Sequence, residues 1–268
     1  MFKQRVITAS ILAPLALGSV FLLPLSGFAI VMALVMMIGA WEWGNFALYS
    51  RRMRALFVAL VGVVIAAIYP FVTALTLPIL VVAALFWVFA ITRVVRYPKT
   101  LGIDGTVTKL ITGLLVLVPA WVAMVGLKTH ESAHLLLLLL FLLVWGADIG
   151  AYFAGKRFGR VKLLPKVSPG KTREGVYGGL LAAMMIALGF SIVLGLSSTS
   201  IILLLALSAL VVVVSVFGDL FESMFKRERG IKDSGVILPG HGGVLDRVDS
   251  LTAAAPLFLL GIQLLPIL

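Results

Sequence analysis

Long apolar runs alternate with short polar breaks along this chain, and the runs set the architecture. They lie at approximately Val6–Pro24, Phe28–Leu48, Ala55–Phe71, Leu75–Thr92, Thr108–Leu127, His134–Ala154, Val176–Leu196, Ile201–Glu222 and Val248–Leu268. A helix needs about 20 apolar residues to cross about 30 Å of hydrocarbon. Inside lipid each backbone polar group must be satisfied within the segment, which selects helix. The pattern predicts an all-α polytopic membrane protein of about nine transmembrane helices. The third run is short and closes at Tyr69-Pro70. The first follows Lys3 and Arg5 as a signal peptide would. Its apolar stretch exceeds a usual signal core, with no small-x-small cleavage site after it, so it reads as a retained anchor.

The charges between the runs assign sides. Lys and Arg number 2 before the first run, 3 in SRRMR, 4 from Arg93 to Lys109, 7 from Lys156 to Arg173 and 5 from Lys226 to Arg247. Only Lys128 falls on the opposite side. Cytoplasmic loops carry the excess of Lys and Arg, so the pattern places the N-terminus in the cytoplasm and the C-terminus outside. The Leu135–Leu143 tract is low in complexity, as lipid-facing helix tolerates, and no internal repeat stands out. Both long polar loops lie late in the chain. Residues 1–133 therefore read as a scaffold of about five helices, and 134–268 as a catalytic region of about four.

Composition narrows the class further. The chain is 62% hydrophobic and 12% charged, with mean hydropathy +1.17. Soluble domains run about 45–50% apolar and about 25% charged, which excludes a water-soluble fold. The net charge of +11 reads as orientation and contact with anionic lipid heads, not nucleic-acid binding. Cysteine is absent, which removes disulfides and thiolate metal sites. Carboxylate oxygens would then favour Mg²⁺, Mn²⁺ or Ca²⁺ over zinc.

The informative residues are acids at the ends of apolar runs, where a carboxylate costs about 2.5–3.5 kcal/mol at a helix centre. Glu42, Asp148, Asp219, Glu222, Asp246 and Asp249 all fall toward the cytoplasmic side. Asp219 and Glu222 are three apart, as are Asp246 and Asp249, and residues i and i+3 share a helix face. Two helix ends joined by one connection thus aim two carboxylate pairs at a common point, a geometry that suits a hard cation and substrate phosphates. Asp219 and Asp246 are the expected principal ligands, with Asp249 and Asp148 secondary. Glu42, between Trp41 and Trp43, reads as structural.

Two loops would receive anions. The segment SPGKTREG, Ser168 to Gly175, contains GKT but lacks the glycine five residues earlier that a P-loop needs, where Pro165 stands. Ser168 followed by Pro169 predicts an N-cap and first helical turn, with Lys171 and Arg173 beside the free N–H groups. The segment PGHGGVLDR brings Gly240, Gly242 and Gly243 as an expected anion nest before the ninth run. His241 stands there as a phosphate donor or acid–base group.

The stretch SMFKRERGIKDSGVILPGHGGVLDRVDS, Ser223 to Ser250, resembles the signature of the phosphatidate cytidylyltransferases, the CDP-diacylglycerol synthases. Ser223, Lys226, Arg227, Lys232, Asp233, Pro239, His241, Gly242, Gly243, Asp246, Arg247 and Asp249 fit that pattern without departure. DIGAYFAGKRFG and SPGKTREG also look like family segments. The resemblance implies transfer of CMP from CTP to phosphatidic acid, giving CDP-diacylglycerol and pyrophosphate, with Mg²⁺ required. The number of cations stays open. It further implies a bacterial inner membrane, a site facing the cytoplasm and a homodimer. In that reaction Asp219, Asp246, Asp249 and His241 would form the catalytic group. Ser168, Lys171, Thr172, Arg173, Ser223, Lys226, Arg227, Lys232, Asp233, Gly242, Gly243 and Arg247 would bind substrate, and His241 would donate a hydrogen bond rather than abstract a proton.

The alternative from another class is an ion-coupled secondary transporter, because intramembrane acids also mark ion pathways. Transporter sites lie near the midplane between repeats, whereas these acids lie on one side. A CDP-alcohol phosphotransferase would carry DG-x2-AR, and the only Asp-Gly pair, Asp104-Gly105, is not followed by it.

Overall fold

The structure, a computed structural model, describes residues 2–99 and 105–267. Asp104, of the Asp-Gly pair, and Leu268, at the end of the ninth run, lie outside the described residues. Among those described are nine α-helices: α1 (Phe2–Leu22), α2 (Leu25–Phe46), α3 (Arg51–Ile68), α4 (Val72–Arg96), α5 (Thr106–Lys128), α6 (Ala133–Phe158), α7 (Arg173–Val193), α8 (Ser198–Arg229) and α9 (Leu245–Leu264). A two-stranded hairpin, β1 (Lys162–Leu164) and β2 (Ser168–Thr172), interrupts the polar connection between α6 and α7.

Six described helical segments are long and apolar enough to cross a membrane: Leu25–Phe46, Arg51–Arg96, Thr106–Lys128, Ala133–Phe158, Arg173–Val193 and Ser198–Arg229. The protein is an integral, polytopic, all-α membrane protein. Arg51–Arg96 is 46 residues long, about 69 Å if straight at about 1.5 Å per residue. It holds α3 and α4, separated by a 3₁₀ turn at Tyr69–Phe71, where the sequence places a span end.

Helix α5 is the central post, buried along most of its length and packed against α2, α3, α4, α6 and α9. Lipid is as apolar as leucine, so packing and interhelical hydrogen bonds hold such a bundle. The Trp121 indole donates to Ala29 O at 3.0 Å, and the Trp43 indole to Lys109 O at 2.8 Å. A Cβ at Gly113 would stand 2.7 Å from the Trp43 ring, so the helices close only because that position is glycine. Trp43 also meets Phe225 with centroids 5.0 Å apart, tying α2 to α8 near the polar loops.

The α6–α7 crossing is closer still. A Cβ on Gly150 would lie 2.7 Å from Gly178 O, and one on Gly179 would lie 2.8 Å from Ala147 O. Small residues let the two backbones nearly touch. Helices α8 and α9 approach in the same way at Gly218, where a Cβ would lie 2.7 Å from Asp249 O. These two tight pairs fix the depth of the acidic side chains they carry.

Two boundaries differ from expectation. Helix α8 runs to Arg229, beyond the sequence limit at Glu222, so Ser223, Lys226 and Arg227 stand on helix and not in a loop. Glu, Lys and Arg are good helix formers, and hydropathy loses the helix where it leaves lipid. Ser168 and Pro169 do not start α7. They lie in β2, whose Ser168 and Thr172 pair with Leu164 and Lys162. Thr172 is the N-cap instead, its Oγ1 accepting from Gly175 N at 3.1 Å. Local capping preference favoured Ser168, and pairing with a strand earlier in the chain overrode it.

Candidate active site

A cavity of about 360 Å³ opens between α6, α7, α8 and β2. Asp148 and Asp219 line it together with Lys156, Lys171 and Tyr152, while Ala147, Val212 and Val216 form an apolar wall. The α6–α7 glycine crossing contributes Gly155, Gly175 and Gly179 to its lining. A Cβ at Gly175 or Gly179 would press on α6, 3.0 Å from Ala151 O or 2.8 Å from Ala147 O.

Asp219 is held from two sides. The Lys171 ammonium stands 2.6 Å from its Oδ2, and Ser223 Oγ, one turn on, donates to its Oδ1 at 3.1 Å. Lys171 and Asp219 are each between a quarter and a third exposed, so this ion pair faces the open space.

Behind this pair lies a second, buried ion group. Lys226 places its ammonium 3.0 Å from Glu222 Oε1 on its own helix and 2.7 Å from Asp246 Oδ1 on α9. The remaining oxygen of Asp246, Oδ2, accepts from Ser234 N, Ser234 Oγ and Gly243 N at 2.9, 2.9 and 2.8 Å. Removing one partner from such a buried set costs about 3–5 kcal/mol, because the other charge is left stranded.

The α8–α9 connection is shaped by its glycines. Gly230, with φ of 72°, ends α8 in the left-handed conformation. His241 N donates to Leu238 O at 2.9 Å, and Gly240 between them has φ of 76°. Together with Pro239 this is the pattern of a type II turn. The N–H groups at the start of α9 do not form an open nest. Gly243 N serves Asp246, and Val244 N and Leu245 N donate to Glu42 Oε1 and Oε2 at 3.1 and 2.7 Å. The start of α7 is likewise engaged, with Arg173 N donating to Val161 O at 2.9 Å.

Comparison with known proteins decides what family carries this arrangement. Residues 3–265 match the Cytidylyltransferase family. A Pseudomonas aeruginosa protein named phosphatidate cytidylyltransferase is 50% identical over 260 residues, covering 96% of each chain. A Haemophilus influenzae protein of the same name is 40% identical over 280 residues, covering 96% of this chain and 97% of its own. The chain belongs to the phosphatidate cytidylyltransferase family.

In this family member most of the expected site residues fall into three groups, while Asp249 stands outside them on α9, its Oδ1 accepting from Ser250 N at 2.7 Å. Lys171, Thr172, Asp148 and Asp219 line the cavity, with Ser223 bonded to Asp219. Lys226, Asp246 and Gly243 form the buried group behind it. Ser168 sits half-buried on β2, and Arg173, Lys232, Asp233 and Arg247 are exposed. Arg227 Nε donates to Val167 O at 3.1 Å and pins the hairpin to α8. Sequence reasoning missed Ser234, Lys156 and the pairing of Lys226. The last was readable in part, since Glu222 and Lys226 are spaced i, i+4.

The oxygen donors fit a divalent cation at one of the two centres. Among the described residues no group of three or more His, Asp or Glu side chains is placed to hold a metal ion. Magnesium, however, usually takes one or two carboxylates and completes its shell with water and substrate phosphates. Asp219 and Asp148 at the cavity meet that requirement, and the Lys171 ammonium shows Asp219 accepting a cation there. Asp246 is less open to an ion, because its buried oxygens take four bonds from Lys226, Ser234 and Gly243, whereas Asp219 is partly exposed and meets only Lys171 and Ser223.

Proposed function

We propose that this protein transfers the CMP moiety of CTP to phosphatidic acid, giving CDP-diacylglycerol and pyrophosphate. The observation that carries the reading is the cavity where paired Asp219 and Lys171 face an apolar wall of α6 and α8. Its volume of about 360 Å³ lies within the range of about 300–1,000 Å³ typical of small-molecule sites. One reactant is a lipid phosphate and the other a water-soluble triphosphate, and a pocket with both characters suits their meeting.

The chemistry follows from charge. A phosphate monoester has its second pKa near 6, so phosphatidate is largely dianionic at neutral pH. Its oxygen attacks the α-phosphorus of CTP, the bond from that phosphorus to the bridging oxygen breaks, and pyrophosphate leaves with the electron pair. No base is needed to make the nucleophile, and His241 serves as a hydrogen-bond donor. The work of the chain is to hold two polyanions in line and neutralise charge as it shifts. Lys171 and Lys156 in the cavity, with the exposed Arg173, Lys232 and Arg247, supply the positive field. The ammonium of Lys171, paired with Asp219 in the free protein, exchanges that carboxylate for phosphate oxygens. A magnesium ion held by Asp219 and Asp148 would add electrophilic stabilisation of the phosphates.

The reading includes nine spans, a cytoplasmic N-terminus and a site facing the cytoplasm of a bacterial inner membrane. Its support is the near one-sidedness of the basic residues, 21 of 22 on one side of the nine-run layout. The transporter alternative has no support in this geometry. The test is phosphatidate-dependent release of pyrophosphate from CTP by the purified protein, in a one-to-one ratio with CDP-diacylglycerol. Pyrophosphate release that ignores phosphatidate would refute the assignment.

A further inference from the structure

Glu42 lies in the half of the chain that the sequence reads as scaffold, about two hundred residues from the signature, yet its carboxylate is 2% exposed and sits under the signature loop. Its two oxygens accept from Val244 N and Leu245 N, the opening N–H groups of α9. Oε2 also lies 3.0 Å from Ser234 Oγ, which is 2.9 Å from Asp246 Oδ2. One hydroxyl proton thus stands between two carboxylates. The loop is cut to receive this side chain. A Cβ on Gly235 would lie 2.4 Å from Glu42 Oε1, and one on Gly243 would lie 2.5 Å from Oε2.

A second residue of α2 grips the same point. Asn45 Nδ2 donates to Ser234 O at 3.4 Å, and Arg54 Nη2 donates to Asn45 Oδ1 at 2.8 Å, which fixes the orientation of that amide. Ser234 is 1% exposed. Its backbone carbonyl and hydroxyl reach α2 while its N–H and hydroxyl reach Asp246. The end of α2 and the start of α9 are therefore joined twice, directly by Glu42 and again through Ser234.

We infer that Glu42 and Asn45 are positioning residues for the transfer reaction, clamping Ser234 and the first turn of α9 so that Asp246 holds Lys226 in place. This rests on the transfer activity proposed above. Glu42 touches no cavity atom, so it acts through Ser234 and α9. A carboxylate at a helix start also complements the helix dipole, and an amide in its place would turn a donor toward a donor.

The experiment uses the full-length protein in detergent micelles with CTP and phosphatidate. Glu42→Gln is expected to lower kcat about 100-fold, the effect of a misplacement of about 1 Å, while both KM values stay within about threefold. Ser234→Ala is expected to lower kcat about tenfold, and the double variant to fall no further than Glu42→Gln alone, since both act through one contact. Amide exchange at Ser234 and at Gly243–Leu245 should be at least about tenfold faster in Glu42→Gln, a readout that needs no turnover. Wild-type kcat in Glu42→Gln, effects that multiply independently, or unchanged exchange would each overturn the inference. Loss that only tracks the folded fraction, with normal kcat per folded molecule, would also overturn it. Absence of CMP transfer by the wild-type protein would instead sink the function, and the exchange comparison would still decide the clamp.

Discussion

Lys226 and Asp246 meet at 2.7 Å across the α8–α9 interface, both nearly inaccessible to solvent, with Glu222 Oε1 also 3.0 Å from the ammonium. The ion pair locks α9 to α8, the helix that brings Asp219 to the cavity. Lys226→Met should therefore destabilise the solubilised protein by about 3–5 kcal/mol, as expected when a buried charge loses its partner. Replacing Glu222 by Gln in the same variant should recover part of that loss, as seen in denaturant or thermal unfolding. Equal stability of the wild type and Lys226→Met would mean that the pair contributes nothing.

Lys171 faces open space and has the shorter contact, to Asp219 at 2.6 Å. Its removal should spare the fold and cost catalysis. Lys171→Met is expected to reduce kcat/KM for CTP at least about 100-fold, about 2.7 kcal/mol of transition-state stabilisation. Thermal unfolding should shift little, because the contact is partly solvated. Lys171→Arg should retain more activity than the methionine variant.

Gly178 lies in the α6–α7 crossing, where a Cβ would fall 2.2 Å from that of Ala154. Overpacking of this kind costs about 1–3 kcal/mol. Gly178→Val should lower the unfolding temperature and activity together by spreading the helices that wall the cavity. Gly189→Ala, at a position with no neighbour within 4 Å, is the matched control and should change neither.

The orientation can be read with single cysteines, because the chain has no native one. A cysteine replacing Lys166, exposed near the hairpin, should react with a membrane-impermeant maleimide only in inverted vesicles. One replacing Glu131, exposed between α5 and α6, should react only from the outside of intact cells. The opposite pattern would invert the topology.

The membrane helices were legible because each reports itself locally. Thr108–Leu127 read from hydropathy became Thr106–Lys128, and His134–Ala154 became Ala133–Phe158. The acids were legible for the same reason, since a carboxylate beside an apolar run stands out, but their pairing was not: Asp219 meets Lys171 at the cavity while Glu222 belongs to the buried Lys226 group. What stayed hidden depends on contacts between distant segments. Ser168 has a good capping side chain, and only its pairing with Leu164 makes it strand. Asp246 has the spacing of a metal ligand, and only Lys226, Ser234 and Gly243 reveal that its oxygens are engaged. Glu42 read as structural from its two tryptophan neighbours, and nothing local announces its contact with Ser234, 192 residues away.

The most direct measurement follows the phosphorus. Purified protein is incubated with phosphatidate and Mg²⁺ in detergent micelles, with CTP radiolabelled at either the α- or the γ-phosphate. The wild type should place the α label in the chloroform-soluble lipid and the γ label in pyrophosphate, and Asp219→Asn should leave both labels in CTP. Lipid carrying the γ label, or α label transferred equally well without Asp219, would contradict the proposed site and reaction.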